Sequence, residues 1–143
     1  PVPGASAVIP ALIVSGLATD RFVFEGFLPV KKGRRKHLER LRDERRTIVL
    51  YESPHRIERT LVDLQESLGD RPAALARELT KKFEEVRRGH LSDLIRGVRE
   101  RPPKGEIVLV VGGYSAEEEH QSSANVFHED QEHAQGNAEQ STS

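Results

Sequence analysis

The stretch of sequence that decides the fold runs from Thr47 to Gly69 and reads TIVLYESPHRIERTLVDLQESLG. Its first part, Thr47–Glu52, holds large apolar residues in unbroken succession, which is typical of a strand covered on both faces. Its second part repeats apolar residues along one helical face, at Ile57, Leu61, Leu64 and Leu68. Ser53 is predicted to cap this helix, with Pro54 at its first position and Gly69 at its end. The stretch therefore predicts a strand–helix unit.

Segments on either side of this unit continue the alternation of helices and strands. The further predicted elements are a helix at 7–17 whose start Pro10 delays or kinks, a strand at 22–27, a helix at 34–42, strands at 73–78 and 83–88, a helix at 91–98 and a strand at 107–111. Three βαβ crossovers with one direct β–β link predict an α/β fold with a mixed, mostly parallel five-stranded sheet flanked by helices. Ligands of such sheets bind outside the carboxyl ends of the strands, here at Glu52-Ser53 and at Glu78-Leu79-Thr80.

Composition limits the class of protein. The 143 residues suit one domain, and the absence of cysteine excludes a disulfide framework and Cys-ligated zinc while fitting a reducing compartment, with the cytoplasm expected. No apolar run is long enough to span a membrane, so no membrane partner is expected. The chain has no methionine, so Pro1 is not a translation start and we expect a processed chain or a piece of a longer protein. The tail histidines are too far apart for a helical metal pair, and no metal is predicted.

The net charge of −1 hides a segregation of charge along the chain. Residues 1–114 carry a net charge of +6, and residues 115–143 carry −7 with no Lys or Arg. The tail is polar and is predicted to be disordered. Nine bases and three acids lie within residues 31–46, which we call the basic segment. Such a segment indicates either a polyanion partner or a solvated helix face beside a turn.

Two short stretches carry groups that local structure does not require. In the first, 51–56, capping explains Ser53-Pro54, but His55 and Arg56 are left over for function. In the second, 77–85, Lys81 and Lys82 lie at a strand-to-strand corner, where they could contact a phosphate backbone or pair with the acids that follow. The sequence has no dinucleotide-binding GxGxxG loop, Walker loop or HExxH motif.

These stretches together resemble a known family. The motifs that carry the resemblance are Pro3-Gly4-Ala5-Ser6-Ala7, residues 15–22, residues 24–29, Tyr51-Glu52-Ser53-Pro54-His55-Arg56, residues 76–85 and Lys104-Gly105-Glu106. In order and spacing they are similar to the methyltransferase I branch that acts on ribosomal RNA of the small subunit, within the tetrapyrrole-methylase-like superfamily. The similarity runs from Pro1 to about Gly113. Porphyrin-type relatives share the architecture but differ at 52–56 and 77–85.

The resemblance implies a fold, a reaction and partners. It implies the C-terminal domain of the tetrapyrrole-methylase-like fold, divided into residues 1–21 (interdomain loop and first helix), 22–114 (the methyltransferase domain) and the acidic tail 115–143. It implies S-adenosylmethionine as methyl donor and a cytidine ribose 2′-hydroxyl in the decoding region of 16S rRNA as acceptor. The expected partners are the small ribosomal subunit and the missing N-terminal domain, without which the chain is expected to be inactive. Homodimers are common in this superfamily, so a second copy is also an expected partner.

Roles for individual residues follow from the resemblance, position by position. Pro3, Gly4 and Ser6 match the loop that borders the donor cleft, and Glu52, Leu79 and Thr80 match the strand ends around the same pocket. The residues expected to contact RNA are His55, Arg56, Lys81, Lys82, Arg34, Arg35 and Lys36. The hydroxyl proton must be removed, and Glu78 or Glu52 is the hypothetical base.

Two other functions compete with this one. The chain could be a non-catalytic RNA-binding module that uses the basic segment, or a small-molecule methylase domain of the porphyrin type. Binding to phosphate alone would weaken steeply with salt and would not depend on S-adenosylmethionine. A porphyrin-type pocket predicts few bases, against the Lys and Arg density found here.

Overall fold

The computed structural model describes residues 3–79 and 81–117, with side chains described from residue 7 onward in those ranges. Its elements are α1 (Pro3–Ser15), β1 (Phe22–Phe27), α2 (Arg34–Leu41), β2 (Thr47–Glu52), α3 (Ile57–Leu68), β3 (Pro72–Arg77), β4 (Glu85–His90), α4 (Leu91–Glu100) and β5 (Ile107–Val111). This is the predicted order of elements. The predicted disorder of the tail concerns residues that, from 118 onward, lie outside the described residues.

The five strands form one sheet in the order β1-β2-β5-β3-β4. Only β1 and β2 pair in parallel, and the β2–β5, β3–β5 and β3–β4 pairs are antiparallel. The α/β class and the five strands are confirmed, but the expectation of a mostly parallel sheet is wrong. Each βαβ crossover does link strands of one direction. However, α4 carries the chain across β3, and β5 inserts between β2 and β3 in the opposite direction.

Helices cover both faces of this sheet. On one face, Ile48 and Leu50 of β2 pack in a core formed with α2, α3 and α4, and on the other face Val49 packs in a smaller core with α1. Both cores exclude water from the middle strands, and every residue of β5 is buried. The prediction that Thr47–Glu52 is covered on both faces is therefore confirmed. Within the described residues, no helix combines the length and the hydropathy needed to cross a bilayer.

Some helix boundaries differ from the predictions. Helix α1 begins at Pro3 and continues through Pro10, so the late start predicted from that proline is wrong. Packing of Val8 and Leu12 on the sheet supports the turns on either side of Pro10. Helix α3 begins at Ile57, with Arg56 as its N-cap, and not at Pro54 after a Ser53 cap.

Glu52 organises the turn that precedes α3. The side chain of this last residue of β2 is 2 % exposed and its carboxylate accepts three hydrogen bonds. The donors are the Ser53 backbone N–H (2.7 Å), the Arg56 Nε (3.2 Å) and the Thr60 hydroxyl (2.6 Å). These bonds hold the turn over 53–56 and the first turns of α3 against the end of β2, and the Arg56 N–H closes the turn on the Ser53 carbonyl.

Arg34 continues this buried network. Its guanidinium donates to Thr60 Oγ1 (3.1 Å), to the Pro29 carbonyl (3.0 Å) and to Asp63 (2.9 Å). The Arg34 side chain is 7 % exposed, in contrast to 93 % for the neighbouring Arg35. Arg34 therefore ties the start of α2 to α3, and its donors are engaged inside the protein.

Arg34→Ala is expected to lower the free energy of unfolding by about 2 kcal/mol, because it leaves a carboxylate, a hydroxyl and a carbonyl without their donor. Urea unfolding followed by circular dichroism measures this. Arg35→Ala, the adjacent control, should leave the midpoint unchanged within error. Equal midpoints for the two variants would contradict the structural role of Arg34.

Candidate functional site

Three strands end at the same edge of the sheet. Strands β1, β2 and β3 run in one direction, and Glu52 and Arg77 are both register partners of Ile107, the first residue of β5. The segments that follow β2 and β3 therefore emerge side by side. The sheet registers bring together the two stretches that the sequence analysis singled out, 51–56 and 77–85.

Glu78 forms a corner directly after β3. It has a positive φ of 51°, its carboxylate accepts the Glu106 N–H (2.8 Å), and its own N–H donates to the Glu106 carbonyl (3.0 Å). The Lys81 Nζ lies 3.1 Å from the same carboxylate. The hydrogen bond from Glu106 and the ammonium of Lys81 lower the pKa of Glu78, and the same ion pair raises the pKa of Lys81. These contacts join the segment after β3 to the segment that precedes β5.

The two candidate bases therefore have different surroundings. Glu52 is buried among its three donors, whereas the Glu78 side chain is 18 % exposed and carries a lowered pKa. A carboxylate with a lowered pKa is a weaker proton acceptor than an unperturbed one. Neither geometry presents a carboxylate free to receive a proton from a substrate.

The strand ends also offer groups to a ligand. Ser53 Oγ is buried and has no hydrogen-bond partner within the described ranges. Leu79 packs half-buried against the smaller core beside Tyr51, whose pKa is raised by burial. An unpartnered buried hydroxyl is costly, and a polar atom of a bound ligand would supply the partner that Ser53 Oγ lacks. Thr80 lies outside the described residues, as do the side chains of Pro3 and Ser6. The backbone of Pro3, Gly4 and Ser6 belongs to the first turn of α1.

The cations expected to contact RNA differ in exposure. His55, Lys82, Arg35 and Lys36 are exposed, and the side chains of Arg56 and Lys81 are 42 % and 55 % exposed. Lys82 lies 5.7 Å from the ring centroid of Phe83. Arg34 differs from these residues because it is buried in the network of Glu52 and Thr60.

Part of the basic segment is neutralised locally. Among the described residues, four of its cations lie in ion pairs, namely Arg34 with Asp63, Arg35 with Glu39, Arg40 with Glu25 and Arg46 with Glu44. Hydrogen bonds from Arg46 hold the pKa of Glu44 at about 2. The charge that the segment presents to solvent is thus smaller than its composition indicates.

A second group of cations, which the sequence patterns did not predict, lies beside strands β3 and β4. Strands β3 and β4, the corner after β3 and the loop after α4 enclose an open groove of about 630 Å³, which we call the arginine groove. Its described lining includes six cations, Arg77, Lys81, Lys82, Arg87, Arg101 and Lys104. Arg77 and Arg87 point to the same face because strand side chains alternate. That alternation was a usable signal, but the contribution of Arg101 depends on where α4 ends.

Aromatic residues on the first two strands form a second feature that the sequence patterns did not predict. Phe24 and Phe27 lie with their ring centroids 5.0 Å and 5.7 Å from that of Tyr51. Phe24 is 47 % exposed and Phe27 is 58 % exposed. Exposed aromatic rings at neighbouring positions are typical of a surface that another body covers.

Substitution of Gly105 tests the contact between the Glu78 carboxylate and the segment before β5. A Cβ on Gly105 would lie 1.6 Å from Glu78 Oε1, whereas a Cβ on Gly33 would meet nothing within 4 Å, and both glycines have a positive φ. Gly33→Ala should cost about 1 kcal/mol from backbone strain alone, and Gly105→Ala should cost more because Glu78 must leave Glu106. Thermal unfolding measures both.

A double mutant completes this test. In a Glu78→Ala background the cost of Gly105→Ala should fall to that of Gly33→Ala, since no carboxylate is displaced. An unchanged cost in that background would contradict the coupling between Glu78 and the segment before β5.

A family model described as Tetrapyrrole (Corrin/Porphyrin) Methylases matches residues 1–95. Curated relatives named ribosomal RNA small subunit methyltransferase I include one from Synechocystis, 54 % identical over 120 residues (82 % of this chain and 43 % of the relative). The Bacillus subtilis relative is 48 % identical over 119 residues (82 % and 41 %), and the Pseudomonas aeruginosa relative 45 % over 126 residues (85 % and 45 %). The chain thus spans less than half the length of these relatives.

Solved structures with the same fold include the cobalt precorrin-4 methyltransferase CbiF, a cobalamin biosynthetic enzyme (TM-score 0.56, 18 % identity, 75 % of this chain and 48 % of that chain). The methyltransferase CobJ is similar (TM-score 0.54, 21 % identity, 74 % and 47 %). At these identities the likeness concerns the fold alone. Since the family model covers residues 1–95, this chain belongs to the tetrapyrrole (corrin/porphyrin) methylase family.

Proposed function

We propose that this chain is the C-terminal part of an S-adenosylmethionine-dependent methyltransferase that modifies RNA of the small ribosomal subunit in the cytoplasm. The observation that carries the proposal is the convergence of stretches 51–56 and 77–85 on one sheet edge, in a chain 45–54 % identical to relatives named for that activity. The acceptor we propose is the 2′-hydroxyl of a cytidine ribose in the decoding region of 16S rRNA.

The donor pocket that we propose lies at this edge and is completed by a second domain. Backbone groups at Glu52 and Leu79, with Thr80 and the Pro3-Gly4-Ser6 segment, would hold the donor, and the unpartnered Ser53 hydroxyl supports a ligand there. When bound, S-adenosylmethionine supplies a methyl group that is already activated on a sulfonium. The exposed Phe27 and the shorter length of the chain compared with its relatives support an N-terminal domain as the other wall. Alone, the chain is expected to be inactive.

Holding the acceptor in line with the donor is the main contribution of this part of the protein. For Glu78 and Glu52 we propose positioning roles in place of proton removal, because each carboxylate is engaged by donors of the protein itself. Glu78 keeps Lys81 beside the edge, and Glu52 holds the turn that carries His55 and Arg56.

The RNA contacts that we propose come from exposed cations. Four of these cations follow the ends of β2 and β3, namely His55, Arg56, Lys81 and Lys82. A phosphate-binding track continues along α2 at Arg35 and Lys36. Arg34 is left out of this set, since its guanidinium is buried and bonded to Asp63 and Thr60.

A chimera tests the proposed reaction. In the Synechocystis relative, the region that matches this chain is replaced by this chain, so that the relative's N-terminal part is fused to it. The chimera is then given radiolabelled S-adenosylmethionine and small subunits that lack the modification. We expect methyl transfer to the ribose of one cytidine, located by mass spectrometry of nuclease fragments. The intact relative is the positive control.

Each outcome of this experiment has a clear meaning. A folded chimera that binds subunits without transferring methyl, while the intact relative transfers it, would favour the RNA-binding module. Transfer to a base, and not to a ribose, would overturn the proposed acceptor.

Charge reversal on α2 tests the phosphate track. The double variant Arg35→Glu, Lys36→Glu should weaken binding to small subunits about tenfold at moderate salt. The slope of the logarithm of the binding constant against the logarithm of the salt concentration should become shallower by the amount that about two phosphate contacts contribute. Arg96→Glu, an exposed arginine on α4, is the control and should change binding little. Equal effects of the two changes would mean that α2 only contributes net charge.

A further inference from the structure

Three arginines converge on one carboxylate in the arginine groove. Glu85 Oε2 accepts from Arg77 Nε at 3.0 Å, and Glu85 Oε1 accepts from Arg87 Nε at 2.7 Å and from an Arg101 terminal nitrogen at 2.5 Å. Partial burial alone would raise the pKa of Glu85, but hydrogen bonds from Arg77 and Arg87 and the charges of Arg87 and Arg101 outweigh it, so the pKa lies below its ordinary value. Glu85 is therefore charged at neutral pH.

Secondary structure holds the first two arginines rigidly. Arg77 is the register partner of Glu85 across β3–β4, and it also donates to the Lys104 carbonyl at 3.2 Å. Arg87 donates to the Gly97 and Arg101 carbonyls at the end of α4, at 3.3 Å and 3.0 Å. The side chains of these two arginines are 21 % and 13 % exposed. Each therefore has backbone partners in addition to Glu85.

Arg101 is held differently. Its side chain is 73 % exposed, and within the described ranges its guanidinium has Glu85 as its one acceptor. A guanidinium carries five N–H donors in a fixed fork. Arg101 thus donates to Glu85 from one terminal nitrogen, and its remaining N–H groups lie at the surface of the groove.

The charge of the groove is not balanced by its own residues. Its described lining has six cations and two carboxylates, Glu78 and Glu85, and the Glu106 carboxylate lies 3.6 Å from Lys81 Nζ, so three positive charges are in excess. An ion pair whose arginine is 73 % exposed, as Arg101 is, adds little stability, and a third guanidinium group around one carboxylate places like charges close together. Folding stability alone therefore does not account for the position of Arg101, whereas an anionic ligand would.

We propose that the arginine groove binds a phosphate group of the RNA backbone, with Arg101 as the residue that donates to it. This proposal rests on the proposed function. It adds a contact to RNA at Arg101, which lies outside the three segments, 31–46, 51–56 and 77–85, that supply the other proposed RNA contacts. Glu85 holds the arginine cluster in shape, and Lys82 and Lys104 extend the same positive surface along the groove. Arginine suits this role because its planar fork matches two phosphate oxygens.

Arg101→Ala is the central test, and Arg99→Ala is its matched control. Arg99 lies in the last turn of α4, two residues before Arg101, is 58 % exposed, and pairs with a single carboxylate, Glu58, at 2.7 Å. Binding of the full chain to purified small subunits is measured by filter retention over a series of salt concentrations. We expect Arg101→Ala to raise Kd about tenfold and to lower the salt slope by about one contact, while Arg99→Ala changes Kd less than twofold.

Three further measurements separate recognition of a backbone phosphate from net charge, from binding of free phosphate and from loss of folding. Arg101→Lys keeps the charge without the fork, so it should restore the salt slope but only part of the affinity. Inorganic phosphate, added at constant ionic strength, should leave subunit binding unchanged, since the backbone phosphate is held by many contacts at once. Circular dichroism of each variant should match that of the unaltered chain, because Arg101 is exposed.

The outcomes distinguish the groove from the function itself. Equal effects of Arg101→Ala and Arg99→Ala overturn the groove proposal, as does the failure of the unaltered chain to bind subunits. Displacement of RNA by inorganic phosphate also overturns it, in favour of a site for free phosphate. The proposed function is judged separately, by methyl transfer in the chimera with an unaltered groove.

Discussion

The buried carboxylate of Glu52 is the constraint on which the rest of the site depends. Removing an ionised carboxylate from water costs several kcal/mol unless donors replace the solvent. Here the donors are the Ser53 N–H, Arg56 and Thr60, and Thr60 accepts in turn from Arg34. One charge thus fixes the end of β2, the turn after it, the start of α3 and the start of α2. Because His55 and Arg56 lie in that turn, their position depends on the same network.

The insertion of β5 between β2 and β3 completes the edge. Strand β5 separates the ends of β2 and β3. It also brings Glu106 beside Glu78, which lies 28 residues earlier in the sequence. The corner at Glu78 therefore exists only when the last strand is in place. Since Gly105 leaves the space that the Glu78 carboxylate occupies, the segment before β5 is shaped by the same contact.

Positive charge in this chain serves two purposes, and composition does not separate them. Some arginines donate to carbonyls and carboxylates within the fold, as Arg34 and Arg87 do. Arg71 likewise donates to the carbonyls of Leu68, Gly112 and Arg42, in three different segments. Exposed cations such as Arg35 and Arg101 remain available to a polyanion. Counting bases along the basic segment therefore overestimates its surface charge and overlooks the arginine groove, whose members come from four separate segments.

The sequence by itself determined the order of the elements, the double-sided burial of β2 and the amphipathic face of α3, because these depend on apolar patterns within short windows. It also determined that the ends of β2 and β3 carry polar stretches. Only the tertiary structure decided that β5 runs antiparallel between these strands, that Glu52 and not Ser53 organises the start of α3, and that Arg34 is buried while Arg35 is exposed. Adjacent residues of identical charge differ only in what packs against them, and the burial of Glu52 and Thr60 together depends on how α2 and α3 pack against β2. Those are non-local contacts, which local pattern does not contain.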